Sequence, residues 1–320
     1  MTVTRISDLA QNQQLINALA QANQQEAKTE LQVSTGKNAQ YFKDLPDQTG
    51  VLLSTKSLLD RNASYSQTVT ELQQRIGVQD ASLQSLEGSA GNLAQNVMDA
   101  VSNNSGLSLM DQINAVFQQT TAALNTQVDG QYIFGGTRTD AKPFNGSSIA
   151  DLVDTSTVPQ STVPIAGLFQ NNDTTASAVV NDGVKIDYGY TASDLGTQLM
   201  TAIQAIKQFN DTNPDGPFGQ NLTSAQASFL QGQIANLRQI STDITAQTAN
   251  NGVVANQVDN VATQLANTKT QATQFVSDIE DVDLPTALTN LQQDQLALQA
   301  AARMAANIGQ MSLLNFLPIT

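Results

Sequence analysis

The chain contains no cysteine, no histidine and no tryptophan. Without cysteine there is no thiol nucleophile, no disulfide and no thiolate metal site. Without histidine the usual general base near neutral pH and the commonest zinc ligand are missing. Aromatic residues make up 5% of the 320 positions, too few for a large globular core packed around rings. Positive charge is scarce too: Lys plus Arg total 14 against 28 Asp plus Glu, a net charge of −14, and the basic residues form no block. Binding phosphates or anionic bilayers requires clustered Lys and Arg, so neither nucleic acid nor a membrane surface is expected as a partner. No run approaches the roughly 20 apolar residues of a membrane span. The opening Met1-Thr2-Val3-Thr4-Arg5-Ile6-Ser7-Asp8-Leu9 leads into Gln and Asn instead of an apolar core, so a secretory signal peptide is not expected.

What is present is a long heptad seam, and it occurs twice. From Leu58, alternate steps of four and three residues reach Asn62, Tyr65, Val69, Leu72, Ile76, Gln79, Leu83, Leu86, Ala90, Leu93 and Val97. From Leu230, steps of three and four reach Gln233, Leu237, Ile240, Ile244, Gln247, Asn251, Val254, Val258, Val261, Leu265, Thr268, Ala272, Phe275, Ile279 and Val282. Residues between these positions are largely Gln, Asn, Ser, Thr, Asp and Ala. A 3.5-residue repeat held over many heptads marks helices that supercoil around partners. At about 1.5 Å per residue these runs reach about 60–80 Å. One seam lies in each half, which predicts a mainly α chain: a long antiparallel helical rod, a coiled-coil bundle, with a small inserted α+β domain at its tip. The polar seam positions Asn62, Gln79, Gln233, Gln247 and Asn251 either fix register at a cost in stability or are tolerated in a marginal coil.

Taken in order, Ile6 to about Val33 reads as an amphipathic helix with Ile6, Leu9, Ile16, Leu19, Ala20, Ala27 and Leu31 near one face. Ser34-Thr35-Gly36-Lys37 stops it, with Gly36 as C-cap. A connector with Tyr41, Phe42, Pro46 and Gly50 leads to the first seam helix, which runs to about Val101. Asn103-Asn104-Ser105-Gly106 is a turn. A helix from about Ser108 to Asp129 follows. From Gly130 the character changes: Tyr132-Ile133-Phe134 is a short β-type run, and Asn181-Asp182-Gly183 between Ala178-Val179-Val180 and Val184-Lys185-Ile186-Asp187-Tyr188 signals a hairpin. A helical piece covers Asp194 to about Phe209. The second seam helix spans about Thr223 to Ser277, and an acidic stretch follows, Asp278-Ile279-Glu280-Asp281-Val282-Asp283. Asp283 before Leu284-Pro285-Thr286 reads as the N-cap of a last helix carrying Leu284, Leu288, Leu291, Leu298, Ala301, Ala305 and Ile308.

The expected domains are terminal helices at 1–45 and 284–320, the rod at 46–130 and 218–283, and the insert at 131–217. Two lone terminal helices bury little surface, and helices of this kind are marginal in water unless they pack. Their apolar faces are therefore expected to meet neighbouring molecules, through Ile6, Leu9, Ile16, Leu288, Leu291, Leu298, Ile308, Leu313, Leu314 and Phe316. The rod seam is expected to rest on Leu58, Val69, Leu72, Ile76, Leu83, Leu86, Leu237, Ile244, Val254, Val258, Val261 and Leu265.

Catalysis finds little footing. The acidic cluster at 278–283 sits where a helix must be capped, not in a cleft, and lacks the alternating oxygens and central Gly of a calcium loop. Gly135-Gly136 lacks the further glycines and Lys of a phosphate loop. Arg138 and Lys185 stand alone near turns. No catalytic residue, cofactor or metal is expected. An Asn-, Thr- and Ser-rich insert would suit a carbohydrate-binding module, but exposed loops ordinarily have that composition. The Asn145 and Asn172 acceptor patterns add nothing without a known host.

Four segments resemble the flagellin superfamily, and within it the hook–filament junction proteins. Gln32-Val33-Ser34-Thr35-Gly36-Lys37 is like the family's L-S-T-G-K segment. Asp129-Gly130-Gln131-Tyr132-Ile133-Phe134-Gly135-Gly136-Thr137-Arg138-Thr139-Asp140 with Pro143-Phe144 looks like the approach to the junction proteins' variable domain. Glu280-Asp281-Val282-Asp283 leading into Ala287-Leu288-Thr289-Asn290-Leu291 resembles the step from rod to terminal helix. Gln295-Leu296-Ala297-Leu298-Gln299-Ala300 through Ser312-Leu313-Leu314-Asn315-Phe316-Leu317 resembles their C-terminus. The connector departs from the family, with Lys43-Asp44-Leu45-Pro46-Asp47 in place of an S-D-D-P-type turn. The resemblance implies a structural subunit of the bacterial flagellum, exported by the flagellar type III system and joining hook to filament. Filament flagellin and a surface adhesin on the flagellin scaffold are the alternatives. It further implies self-association, the first junction protein as hook-side neighbour, flagellin or the cap distally, and an export chaperone on the C-terminal helix.

Overall fold

The computed structural model describes residues 2–39, 41–45, 48–154, 156 and 161–314. The fold is mainly α. Its helices are α1 (Thr2–Thr35), α2 (Thr49–Ser102), α3 (Leu109–Leu124), α4 (Ala192–Thr212), α5 (Ser224–Glu280) and α6 (Leu284–Leu314). Between α3 and α4 lie three antiparallel strand pairs: β1 (Gln127–Val128) with β2 (Gln131–Tyr132), β3 (Val153–Asp154) with β4 (Ser161–Thr162), and β5 (Ser177–Asn181) with β6 (Val184–Asp187). The chain divides into two compact units, Asn62–Asn267 and Met1–Arg61 with Thr268–Thr320.

In the unit 62–267, α2 and α5 run antiparallel along the two heptad seams. Val69, Leu72, Ile76, Leu83 and Leu86 are buried from one helix, Leu237, Ile244, Val258, Val261 and Leu265 from the other. Val254 is half-buried, as is Leu58 in the other unit. Two seam asparagines reach across the pair. Asn62 Nδ2 donates to the Leu265 carbonyl at 3.0 Å, and Asn251 Nδ2 donates to the Ile76 carbonyl at 3.3 Å. Each uses the spare lone pair of a carbonyl in the opposite helix, so each bond is made in one register and broken by a slip of one residue.

Two apolar clusters hang on this pair. One is closed by the β5–β6 hairpin, which lays Val180 and Ile186, with Ala178 and Tyr188, over Val69, Leu72, Val258 and Leu265. Those four hairpin residues alternate with exposed Val179 and Lys185, the period of a strand with one face covered. The other cluster joins Leu83 to Val97 and Leu230 to Ile244 with α3, α4 and a small group of rings. Phe144, fully buried, meets Phe117 edge-on at 6.2 Å and Phe169 at 5.0 Å. Thr191 caps α4, its hydroxyl accepting from Asp194 N at 3.2 Å.

One helix boundary differs from the sequence reading. Helix α3 ends at Leu124 instead of Asp129, and residues 127–132 form the β1–β2 hairpin. Asp129 and Gly130 have φ of 52° and 76°. Two successive positive φ values make the type I′ turn that suits paired strands and exclude a right-handed helix.

Candidate assembly site

The unit formed by Met1–Arg61 and Thr268–Thr320 holds the terminal helices. In α1 the shielded side chains are Leu15, Leu19, Ala22, Glu26, Thr29 and Val33; in α6 they are Ala287, Leu291, Asp294, Leu298, Ala301 and Ala305. Both sets step by four and three. They form a third heptad seam, along which α1 and α6 pair antiparallel. At its centre Thr29, 2% exposed, donates its hydroxyl to Asp294 Oδ2 at 2.7 Å. The seam is small and partly polar, so large apolar side chains remain outside it. Ile16, Ala20, Ala27 and Leu31 are exposed, and at 100° per residue they fall within about 60° of one another. On α6, Leu284, Leu288, Leu296 and Met304 are exposed.

Of the residues the sequence assigned to assembly, Leu291 and Leu298 therefore face α1, while Ile16 and Leu288 face solvent. The side chains of Ile6, Leu9, Ile308, Leu313 and Leu314, and all of Phe316, lie outside the described residues. The face drawn for α1 from sequence also needs correcting. It grouped Leu19 with Ile16, Ala20, Ala27 and Leu31, but only Leu19 lies on the side toward α6, where it steps with Leu15, Ala22, Glu26, Thr29 and Val33.

Where α1 ends, the chain docks onto the turn between α5 and α6. Asn38 N donates to the Glu280 carbonyl at 2.7 Å, and Val282 N to the Gly36 carbonyl at 3.0 Å. The Asn38 amide bridges the Ile279 and Asp281 carbonyls at 3.1 and 2.8 Å. Lys37 Nζ lies 2.5 Å from Asp281 Oδ1 and 3.5 Å from Glu280 Oε2, and Lys56 pairs with Glu280 as well. The Lys37 ammonium and the Ser277 hydroxyl hold the Asp281 carboxyl below its ordinary pKa, and the Asp281 hydrogen bond raises Lys37 above its own. A cavity of about 300 Å³ beside this knot is lined by Thr35, Tyr41, Leu45, Leu52 and both lysines.

Sequence reasoning gave the acidic stretch to helix capping. Asp283 does sit at the start of α6, where its carboxylate accepts from the Thr286 hydroxyl at 2.6 Å. Glu280 and Asp281 instead join segments far apart in the chain. The signal for that was the pairing of a lysine-bearing helix stop with an acidic helix stop, each otherwise unpartnered in sequence. Among the described residues no group of three or more carboxylates could hold a metal ion, and no helix is long and apolar enough to cross a membrane.

Residues 234–317 match the family model of the bacterial flagellin C-terminal helical region. No curated protein matches the chain. Among solved structures, a Vibrio parahaemolyticus protein described as a flagellar hook-associated protein superposes with a TM-score of 0.55 at 16% identity, over 74% of this chain and 100% of that one. The crystal structure of Bacillus cereus FlgL gives 0.52 at 14% identity, over 71% of this chain and 99% of that one. At these identities the two likenesses concern the fold. Residues 234–317 thus match the flagellin C-terminal helical region, and the fold of the chain is like that of these two structures.

Proposed function

We propose that this chain is a structural, non-enzymatic subunit of the bacterial flagellum, and that it joins hook to filament as a hook-associated junction protein. The observation that carries the reading is the flagellin C-terminal region running through α5 and α6 on a fold like those of the hook-associated structures. The terminal pair supports it physically. Outside a seam that mixes Leu and Val with Ala, Thr, Glu and Asp, the pair leaves Ile16, Leu31, Leu288 and Leu296 exposed. Large apolar side chains left exposed along one stripe of a helix suit association with a partner.

In this reading residues 1–45 and 284–320 make the assembly contacts with neighbouring axial proteins and with copies of this chain. Residues 46–130 and 218–283 form the supporting coil, and 131–217 the outward insert. The hook-side neighbour is the first junction protein and the distal one flagellin or the cap. An export chaperone covers the C-terminal helix before passage through the flagellar type III channel to the cell exterior.

Electron microscopy of the purified chain after salting-out tests the assignment. Monomers or short irregular aggregates with strong helical circular dichroism are expected of a junction protein awaiting its neighbours. Long regular filaments would make it a filament flagellin.

A further inference from the structure

Gln79 differs from the other buried polar residues of the α2–α5 seam. Asn62 and Asn251 use their amides on carbonyls of the opposite helix. Gln79 is 2% exposed, yet its amide makes no hydrogen bond with any described residue. Its amide is not sealed from solvent, unlike the unpartnered Asn62 Oδ1 of the same seam, and so is open to a hydrogen bond from outside the coil. Gln79 lines a cleft of about 400 Å³, within the range of small-molecule sites.

Arg75, one turn earlier on α2 and about 6 Å away along the axis, lines the same cleft. Its guanidinium donates to the neutral Gln131 side chain and has no carboxylate partner among the described residues. Tyr132 and Tyr188 add rings, and Thr139 and Thr175 add hydroxyls that make no hydrogen bond with a described residue. Backbone bonds hold the walls in place. Tyr132 N donates to the Thr139 carbonyl at 2.9 Å, and Tyr188 N to the Ala176 carbonyl at 3.0 Å. Thr137 N donates to Asn172 Oδ1 at 3.0 Å. At Gly136, with φ of 69°, an added Cβ would sit 2.7 Å from the Thr174 carbonyl, so the two walls meet as closely as backbone allows.

We propose that this cleft binds a sugar acid, a small polyhydroxylated carboxylate. Arg75 takes the carboxylate through two parallel N–H donors, the Gln79 amide takes a hydroxyl or ring oxygen one helical turn away, and the tyrosine rings cover the ring carbons. The site is independent of the terminal helices and of the axial role proposed for them. The ligand is either a free monosaccharide or the acidic residue of a longer glycan.

Saturation-transfer NMR on the full-length chain tests this, since it reads ligand protons whatever the size of the assembly. The probes are galacturonate, N-acetylneuraminate, a galacturonate trimer and sialyllactose, with galactose as the neutral control. Transfer to an acidic probe with Kd of about 1 mM is expected, and at least tenfold weaker binding in Arg75→Met and in Gln79→Leu. Binding that favours the trimer or sialyllactose assigns the glycan source, and equal binding of the monosaccharides assigns the free sugar. Gln79→Leu places an apolar side chain at a seam position and retains the thermal midpoint, which separates lost binding from lost fold. Asp111→Ala, on the exposed side of α3, leaves binding unchanged. Equal transfer to galactose, absence of transfer to every acidic probe, or unaltered binding in both cleft variants would overturn the proposal.

Discussion

Asn62→Leu should stabilise the unit 62–267, and the size of the effect follows from the two ends of one amide. Asn62 is 3% exposed. Its Nδ2 makes the 3.0 Å bond to the Leu265 carbonyl, but its Oδ1 is buried with no partner. Removing the bond costs about 1 kcal/mol, and relieving the unpaired carbonyl oxygen returns about 1–3 kcal/mol. A leucine buried in the same space contributes about 1.5–3 kcal/mol. The net is a gain of about 1.5–5 kcal/mol, which for a unit of this size raises the thermal midpoint by about 3–20 °C. Circular dichroism melts at matched concentration, with urea titration to confirm an unchanged m-value, measure it. The variant also loses a bond that selects one register, so its native spectra should broaden even as the midpoint rises. A midpoint lower than that of the parent chain would refute the reasoning. It would mean that the Oδ1 group is satisfied in solution and that the Asn62–Leu265 bond outweighs leucine burial.

Phe144→Ala removes the ring held between Phe117 and Phe169 and should cost about 3–5 kcal/mol in urea unfolding. Gly136→Ala should destabilise by about 1–3 kcal/mol, since a positive-φ residue would also push a Cβ into the Thr174 carbonyl; the same titration reads it. The Lys37–Asp281 link has a defined pH window. The Asp281 pKa is depressed, so its contribution is present above the unfolded value near 4 and is lost as pH falls through the folded one. The Lys37 pKa is raised, so its contribution is present below about 10.4 and lost above the folded one. Protection factors at Val282 and Asn38, corrected for the intrinsic exchange rate at each pH, should therefore fall in acid and in strong base, and Asp281→Asn should abolish the acid limb. Ile16→Asp should leave the helicity of the chain unchanged and block association, whereas Leu298→Asp should lower both; sedimentation and circular dichroism distinguish them.

The long seams were legible because their signal is redundant. Val69, Leu72, Ile76, Leu83 and Leu86 repeat one pattern that a partner seam repeats from Leu237 to Leu265. The Asp182-Gly183 hairpin was legible because both flanking runs alternate. The equivalent Asp129-Gly130 turn was missed because Val128 falls on the helical spacing of Leu124, and two-residue strands are too short to show a period of two. The α1–α6 seam was missed for a chemical reason. Its leucines are interrupted by Glu26, Thr29, Asp294 and several alanines, which break the hydrophobic repeat that marks a seam in sequence. The salt links of Lys37 join residues 244 apart, and no local rule pairs them.

The division of large apolar side chains between the seam and the surface explains how the terminal pair can fold and still associate. The α1–α6 seam interrupts Leu15, Leu19, Leu291 and Leu298 with alanines, Thr29, Glu26 and Asp294, while other large apolar side chains stay outside it. The Thr29–Asp294 bond sets the register of this seam. The large side chains then lie on a separate stripe, about a third of a turn round from the seam on α1. Such a pair is marginal alone, and its stability depends on whatever covers the stripe. The backbone knot at Gly36, Asn38, Glu280 and Val282 holds the bases of both helices together regardless of that cover. A chain built this way keeps its terminal helices paired but only weakly stabilised until a partner covers the stripe.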